Sequence, residues 1–278
     1  MGAYNTKMIE YPNGSIQIRR YSVPMLSEPD NPYEEGYLYE PFDFKKVTEV
    51  KWYEAFPEPK KKSCSSSEEN ERRSFSRTKQ KVFEYARCVC WEWFVTFTFA
   101  KEKIDRYNFS ECSKVIRQWL HNQRRNAPQL KYLIVPEQHK DGAYHFHGLL
   151  ADVGLMKFED SGHLTKSKEP IYNMAKWSNG FTTATKVINI HSVSKYVGKY
   201  ITKDLCCITK GLQRYFVSSN LPKPIVSTFF VDGDGDFKDL LQTLADSLGV
   251  DVVSISTPRH EGSFVDVDYY ELQERRFT

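Results

Sequence analysis

The sequence predicts an α/β (α+β) fold with a central antiparallel sheet and flanking helices. Its strongest strand signal is the aromatic and β-branched run Trp93–Phe99. Two further strand patterns, Lys131–Glu137 and Tyr144–Leu150, are separated only by a short turn around Gly142, which favours antiparallel pairing. Helical patterns precede and follow these strands, so helices are expected to cover the sheet.

Length and composition restrict the class of protein. The chain has 278 residues, of which 40% are hydrophobic and 27% charged, an ordinary globular mixture. No apolar run approaches the ~18 residues that a membrane span needs, and no signal-peptide core is evident. A cytoplasmic location without a membrane partner is therefore expected. The 6 cysteines form no CxxC pair, which argues against a zinc cage or a disulfide framework.

Charge divides the chain into three segments. Residues 1–70 carry 9 Lys and Arg against 12 Asp and Glu, residues 71–215 carry 25 against 13, and residues 216–278 carry 5 against 11. The sequence therefore predicts a basic domain over 71–215 with acidic N- and C-terminal extensions. A basic middle is typical of a polyanion-binding domain, although a solvated basic surface would show the same balance.

The N-terminal extension begins with a predicted hairpin. Apolar and polar residues alternate over residues 7–25 around the turn signal Pro12-Asn13-Gly14. From Glu28 to Arg73 no buried periodicity is visible, and the Pro-, Lys-, Ser- and Glu-rich runs there predict a linker. A basic helix over Ser74–Cys90 then leads into the basic domain.

Further elements follow the first strand of that domain. Ser110 is predicted to cap a helix that Ala127-Pro128 ends. A mostly polar stretch leads to a short predicted strand at Thr185–Ile190, and a helix is predicted over Ser192–Asp204. In the C-terminal extension, one helix is predicted over Phe237–Leu248.

The sequence His145-Phe146-His147 lies inside a predicted strand. Strand side chains alternate between two faces, so both imidazoles point to one face and Phe146 to the other. Two imidazoles about 7 Å apart along one face of a strand are suited to share a metal ion. A surface strand that binds no metal is the other interpretation of this pattern.

The turn before this strand decides which side chain joins the histidines. A three-residue Lys140-Asp141-Gly142 loop, with its glycine in the left-handed position of a G1 bulge, places Glu137 opposite His145. A two-residue Asp141-Gly142 turn would instead place Gln138 there. The three-residue loop is preferred, because a carboxylate adds the negative charge that a hard divalent cation favours.

A second cluster is Tyr196-Val197-Gly198-Lys199-Tyr200. On a helix the two tyrosines are four residues apart, so both phenols are expected on one face. Lys199 lies to one side, and Lys203 continues the basic edge. Tyrosine stripes on helices usually belong to the core, so this spacing alone assigns no function.

The order of these motifs resembles the HUH endonuclease superfamily, specifically the rolling-circle replication initiators (Rep) of small phages and plasmids. Phe94-Val95-Thr96-Phe97-Thr98 is similar to the first family motif, His145-Phe146-His147 to the second and Tyr196–Tyr200 to the third. The segments Ser74–Lys79 and Tyr85–Arg87 also resemble the start of the family domain. The resemblance covers residues 71–215 and implies an HUH endonuclease-like core of the RRM/ferredoxin-like type.

The resemblance also implies an activity, that of a metal-dependent, site-specific endonuclease and strand transferase acting on single-stranded DNA. Tyr196 would attack the scissile phosphate and form a 5′-phosphotyrosine bond, and Tyr200 would carry out a second transfer. In a single-tyrosine member, Tyr200 would serve in packing only. Lys199 would neutralise phosphate charge. The implied ligands of a divalent metal, Mn or Mg, are His145, His147 and Glu137.

Basic and aromatic residues of the middle segment are expected to bind the single strand, because phosphates attract cations and bases stack on rings. Trp177 is a weaker candidate, since it is more simply explained as a core residue. His139, beside the turn, is expected to be exposed to solvent rather than a further ligand. The candidate DNA-binding residues are Arg72, Arg73, Arg77, Lys79, Lys81, Thr96, Thr98 and Lys203.

No Gly-x-x-x-x-Gly-Lys-Ser/Thr motif occurs, so no P-loop helicase is expected. The expected partners are an origin in single-stranded DNA and the helicase and polymerase of a host bacterial cell. Three alternatives stay open: a relaxase or transposase of the same superfamily, a non-catalytic DNA-binding regulator, and an RNA-binding module. Only the enzymes would form a covalent adduct with the nucleic acid.

Overall fold

The computed structural model describes residues 3–26, 67–201, 212–255 and 267–274, and the chain divides into two compact units. One unit combines Met1–Lys61 with Lys223–Thr278, and the other comprises Lys62–Pro222. No helix in these described ranges is long and apolar enough to cross a bilayer.

In chain order, the main elements are β1 (Ala3–Glu10), β2 (Ile16–Leu26), α1 (Ser67–Arg87), β3 (Trp93–Phe99), α2 (Phe109–Gln123), β4 (Lys131–Gln138), β5 (Tyr144–Ala151), β6 (Phe158–Leu164), β7 (Pro170–Met174), β8 (Gly180–Lys186), α3 (Ile190–Val197), a 3-10 turn (Gly198–Tyr200), β9 (Phe216–Val217), β10 (Ile225–Phe229), α4 (Asp234–Leu248), β11 (Val250–Ile255) and β12 (Val267–Glu274).

Both ends of the chain contribute to the first unit. Its antiparallel sheet has the strand order β10-β1-β2-β12-β11. Helix α4 packs on one face of this sheet through an apolar cluster that includes Met8, Ile18 and Leu244. The segments that the sequence analysis treated as separate acidic extensions therefore share one sheet and one hydrophobic core.

The predicted N-terminal hairpin is confirmed. Strands β1 and β2 are joined by the turn Tyr11–Ser15, in which the Tyr11 N–H donates to the Ser15 carbonyl over 2.9 Å. Asn13 Oδ1 accepts from the Ser15 N–H over 3.1 Å. Gly14 has a φ of +81°, a left-handed conformation that favours glycine.

Helix α1 begins earlier than predicted. It starts at Ser67 rather than Ser74 and ends at Arg87 rather than Cys90. The end of the predicted linker is therefore helical, whereas the rest of that linker lies outside the described residues. The run Ser67-Glu68-Glu69 is a helix-start pattern, a capping residue type followed by acidic residues, and this pattern had been assigned to the linker.

The second unit contains a seven-stranded sheet with the order β6-β7-β8-β3-β5-β4-β9. Every neighbouring pair in it is antiparallel. The predicted fold class, a central antiparallel sheet with flanking helices, is confirmed. Strands β3 and β5 lie inside this sheet, with neighbours on both sides.

Strand β3 separates two environments by simple alternation. Its Trp93, Val95, Phe97 and Phe99 are buried, whereas Phe94, Thr96 and Thr98 lie half-buried on the opposite face. On the buried face, the Phe97 ring lies 5.1 Å from that of Trp119 in α2 and 5.0 Å from that of Trp177, centroid to centroid. The aromatic residues of β3 thus fix the sheet to α2.

Helix α2 follows the predicted pattern but not the predicted ends. Its N-cap is Asn108, whose Oδ1 accepts from the Glu111 N–H over 3.2 Å, so Ser110 lies inside the first turn. The helix ends at Gln123, and the Asn126 and Ala127 N–H groups then donate to the Gln123 carbonyl as a turn. An asparagine carbonyl reaches the first free amides as well as a serine hydroxyl does, so sequence alone could not separate the two caps.

The polar stretch after β5 is not a loop. It forms the hairpin β6–β7 and strand β8, which ends at Lys186, so the strand predicted at Thr185–Ile190 is largely wrong. Strand β6 has the sequence Phe-Glu-Asp-Ser-Gly-His-Leu and has no buried face, which explains why periodicity missed it. Helix α3 is also shorter than predicted, because it gives way to the 3-10 turn at Gly198.

Candidate active site

The site lies on the face of the seven-stranded sheet opposite α2, where three central strands bring the first two motifs together. Strand β5 pairs with β3 so that His147 lies opposite Thr96 and His145 opposite Thr98. On its other side, β5 pairs with β4 so that His145 lies opposite Glu137. Residues that pair across antiparallel strands share a face, so these side chains form one polar patch.

The register of Glu137 depends on the turn between β4 and β5. The His139 N–H donates to the Ala143 carbonyl over 2.9 Å, and the Gly142 N–H donates to the His139 carbonyl over 2.8 Å. Gly142 has a φ of +88°. This is the predicted three-residue loop, and it places Gln138 opposite Tyr144 instead of opposite His145. The alternative register with Gln138 facing the histidines is excluded.

The two threonines of the first motif hold the two histidines. Thr96 Oγ1 lies 3.1 Å from Nδ1 of His147, and Thr98 Oγ1 lies 3.3 Å from Nδ1 of His145. Each imidazole therefore has its Nδ1 engaged by a threonine, which leaves Nε2 as the atom that meets a second partner. Thr96 and Thr98, which the sequence predicts to bind DNA, instead contact the imidazoles in the described residues.

Glu137 is bound directly to the histidine cluster. Its Oε2 lies 2.7 Å from Nε2 of His147 and 3.6 Å from Nε2 of His139. The hydrogen bond from His147 lowers the pKa of the Glu137 carboxyl below its usual value, so the group is a carboxylate at neutral pH. The cluster thus combines an anionic oxygen with two well-oriented imidazoles.

His139 and His145 form a second part of the cluster. Their rings are stacked, with centroids 3.9 Å apart and planes 9° apart. Burial, and then the nearby imidazoles of His139 and His147, lowers the pKa of His145 to about 4. His145 is therefore neutral at neutral pH, with a lone pair for a ligand. His139 is exposed as predicted, but it also contacts the cluster.

The donor set has the chemistry of a divalent metal site. Two imidazoles and a carboxylate suit Mn²⁺, and second partners on Nδ1 are the usual means of orienting histidine ligands. In the described residues, however, no three His, Cys, Asp or Glu side chains are disposed around a common ion position. Instead, Glu137 Oε2 and His147 Nε2 are bonded directly to each other over 2.7 Å.

Helix α3 carries the third motif across this face of the sheet. Asn189 caps it, with Oδ1 accepting from the Ser192 N–H over 2.8 Å. The buried Ser194 hydroxyl donates to the Ala86 carbonyl of α1 over 3.0 Å. The Ser194 bond attaches α3 to α1, and Tyr196 lies on the side of the sheet. The Tyr196 ring lies 5.4 Å from that of Phe94 and is 44% exposed.

Tyr200 lies directly on the histidine cluster. Its ring stacks on that of His147, with centroids 3.6 Å apart and planes 9° apart. The Tyr196 and Tyr200 rings meet edge to face, with centroids 5.4 Å apart. Burial, and then the neighbouring Tyr196 phenol, raises the pKa of Tyr200 well above that of a free phenol. The two phenols meet as predicted, although Tyr200 belongs to the 3-10 turn and not to the helix.

The described basic residues predicted to bind phosphate and DNA lie on α1 and on the 3-10 turn. Lys199 is exposed, with Nζ 5.4 Å from the centroid of the Tyr196 ring. Arg77 and Lys79 are exposed on α1, and Lys81 lies 5.6 Å from the centre of the Tyr85 ring. Three predicted side chains lie outside the described part of the structure: Arg72, Arg73 and Lys203.

Sequence reasoning missed Phe94 as part of the site. The Phe94 ring stacks with His147 at 5.9 Å and contacts Tyr196, so it links the second motif to the third. Its place in the alternation of β3, between Trp93 and Val95, was the available signal. Trp177 is buried among Phe97, Phe99 and Trp119, which confirms its core interpretation.

Comparison with known proteins finds a matching family model. Residues 92–205 match the model of the family Replication-associated protein ORF2/G2P. The matched range contains all three motifs, and it supports a replication-associated role and an interaction with DNA. No curated protein and no solved structure matches the chain.

Proposed function

We propose that this chain is a rolling-circle replication initiator of the HUH endonuclease type, which nicks and rejoins single-stranded DNA at an origin. One observation carries the proposal: Tyr200 stacks on His147 at 3.6 Å and meets the Tyr196 ring edge to face at 5.4 Å, so two phenols adjoin a histidine–carboxylate cluster. Nucleophile, charge-binding group and metal-type donors thus occur within one patch. The family match over residues 92–205 supports the replication role.

Tyr196 is the first nucleophile, because it is the more exposed of the two phenols. Its oxygen attacks the scissile phosphorus, a new P–O bond to tyrosine forms, and the bond from phosphorus to the 3′ oxygen breaks. The phenol loses a proton and the 3′ oxygen gains one, which leaves a 3′-hydroxyl for a polymerase. One phosphodiester replaces another, so the strand can be rejoined without ATP.

Tyr200 and Lys199 support this attack. Tyr200 keeps its proton, because burial raises its pKa above that of a free phenol, and its ring contacts the Tyr196 ring edge to face. Lys199 neutralises a phosphate oxygen beside Tyr196. After the first transfer has consumed Tyr196, Tyr200 is the second nucleophile when the fork returns.

The histidine–carboxylate cluster orients the phosphate. The residues that would hold a divalent cation, Mn or Mg, are His145, His147 and Glu137, and when bound it supplies a Lewis acid for the scissile phosphate. Thr96 and Thr98 hold the two imidazoles through Nδ1, and the His147 ring bonds to Glu137. The proposed partners are single-stranded origin DNA and the host helicase and polymerase, in the cytoplasm of a bacterial host.

The adduct itself tests the proposal. The full-length protein is incubated with labelled single-stranded DNA from its replicon and Mn²⁺, and the products are separated on a denaturing gel. We expect a labelled band at the position of the protein, which disappears with EDTA and in Tyr196→Phe. Tyr132→Phe is the control, because Tyr132 lies at the other end of β4 from Glu137.

Two other outcomes would change the assignment. An adduct that persists in Tyr196→Phe and is lost in Tyr200→Phe would exchange the roles of the two tyrosines. No adduct with any divalent metal, on a strand that the protein binds, would overturn the enzymatic proposal in favour of a DNA-binding regulator.

A further inference from the structure

A groove of about 630 Å³ lies beside Tyr196 on the same face of the sheet. One end is formed by Phe94 and Tyr196 and one wall by the segment before α3, including Ile188. Thr183 and Thr185 of β8 line it next to β3, and Thr165 and Ser167 of the β6–β7 turn line it as well. Its size is within the ~300–1,000 Å³ of ordinary small-ligand sites, large enough for a nucleotide.

The groove continues the polar patch outward from the histidines. Thr183 pairs with Thr96, and Thr96 pairs with His147, so the three side chains lie in one row across neighbouring strands. Adjacent strands are ~4.8 Å apart, which places Thr183 about 10 Å from His147 on the same face. A phosphate bound at the cluster would therefore have its neighbouring nucleotide over β8.

The lining chemistry favours an unpaired base. Phe94 and Ile188 offer apolar contact, whereas the two threonines and Asn189 offer groups that can hydrogen-bond to base edges. None of the described lining residues is acidic, so nothing among them repels a phosphate backbone. Ile188 is 76% exposed although it is a large aliphatic residue, and burial by a ligand would remove that apolar surface from water.

We propose that this groove binds the unpaired base of the nucleotide next to the scissile phosphate. The inference rests on the proposed function, because that function places the phosphate at Tyr196. It adds a base-binding subsite built from β8 and the segment before α3, distinct from the tyrosines and the histidine cluster. A base held there fixes which phosphate reaches Tyr196, and so sets the position of the nick.

A binding experiment with abasic DNA tests this subsite. Single-stranded oligonucleotides that tile the replicon are screened by fluorescence anisotropy in EDTA, so that no strand is cut. The tightest-binding one is then remade with one abasic site at each position in turn. For the wild-type protein we expect one position, or two adjacent positions, at which loss of the base weakens binding about fivefold to tenfold.

The Ile188→Ala variant identifies the groove as the source of that effect. We expect it to weaken binding of intact DNA about threefold or more, and to remove most of the penalty at the sensitive abasic position. Leu155→Ala is the matched control, because Leu155 is equally exposed, at 79%, and does not line the groove. It should leave both affinities unchanged.

The outcomes separate the subsite from the chemistry. An abasic penalty that is the same in Ile188→Ala as in the wild type overturns the subsite, and so does the absence of any bound oligonucleotide. A Leu155→Ala variant that behaves like Ile188→Ala overturns it as well. If Ile188→Ala removes the abasic penalty at one position but no adduct forms in the gel assay, the subsite is supported. In that case only the nicking proposal is overturned.

Discussion

The two faces of the seven-stranded sheet are built by the same strands and differ in almost every property. On one face, β3 and β5 contribute Phe97 and Phe146, which are completely buried. On the other, neighbouring residues of the same strands, Thr96 and His145, form a half-buried polar patch. Alternation thus lets one strand contribute to stability through one set of residues and to the site through the next.

The largest effect on stability should come from truncating one aromatic residue on each face of the sheet to alanine. Phe97→Ala removes a ring with no exposed surface and should lower the free energy of unfolding by about 3–5 kcal/mol. Phe94→Ala, three residues earlier, removes a half-buried ring and should cost about 1–2 kcal/mol. It should nevertheless reduce adduct formation strongly, because Phe94 contacts both Tyr196 and His147. Urea denaturation and the gel assay measure the two quantities.

Tyr132→Phe serves as the control for both measurements. If Phe94→Ala destabilised the protein as much as Phe97→Ala, the division of labour between the faces would be wrong. The same conclusion would follow if Phe97→Ala lost adduct formation under conditions where it remained folded.

Local pattern was enough to predict the central strands and their register. The alternation of β3, the pairing of His145 and His147, and the left-handed Gly142 all follow from residue type and spacing over short distances. These signals place Glu137 opposite His145 before any coordinates are known. The chemistry-bearing face could therefore be read from the sequence.

The long-range strand pairings could not be predicted from the sequence. Strand β12 pairs with β2 although almost the entire chain separates them, and no local pattern specifies that contact. Strand β6 was missed because it has no buried face to create periodicity. Stacking of Tyr200 on His147 depends on how α3 packs against α1, which spacing within α3 does not determine.

A smaller loss of folding stability should appear on acidification, and it should arise only from residues on the polar face. His145 has a folded-state pKa of about 4 against an ordinary value of 6.5. Between these values the unfolded chain takes up a proton that the folded chain does not, so stability falls as pH decreases through this window. For a half-exposed site the loss should be about 1–2 kcal/mol. Urea denaturation in EDTA at about pH 7 and about pH 5 measures it.

The groups facing His145 include His139, His147 and Glu137. The test therefore needs a variant that removes only the proton site on His145 itself. His145→Asn should flatten the pH dependence between about 6.5 and about 4. The lowered pKa of Glu137 acts in the same direction but only below its ordinary value of 4.5. A wild-type slope that persists in His145→Asn would mean that another group is responsible.

The smallest effect should come from the threonines that join β3 to the histidines. A hydroxyl can accept from Nδ1–H or donate to bare Nδ1, so Thr96 serves His147 both when Nε2 donates to Glu137 and when Nε2 is a ligand. Valine has the same shape and can do neither. A neutral hydrogen bond contributes about 0.5–1.5 kcal/mol, so Thr96→Val should weaken Mn²⁺ binding about twofold to tenfold. Thr98→Val should have the smaller effect, because its contact is 3.3 Å rather than 3.1 Å. Thr183→Val, one strand further from the histidines, is the control in calorimetric titration with Mn²⁺. Equal losses in all three variants would show that the polar face responds as a whole, and that the two threonines do not orient individual imidazoles.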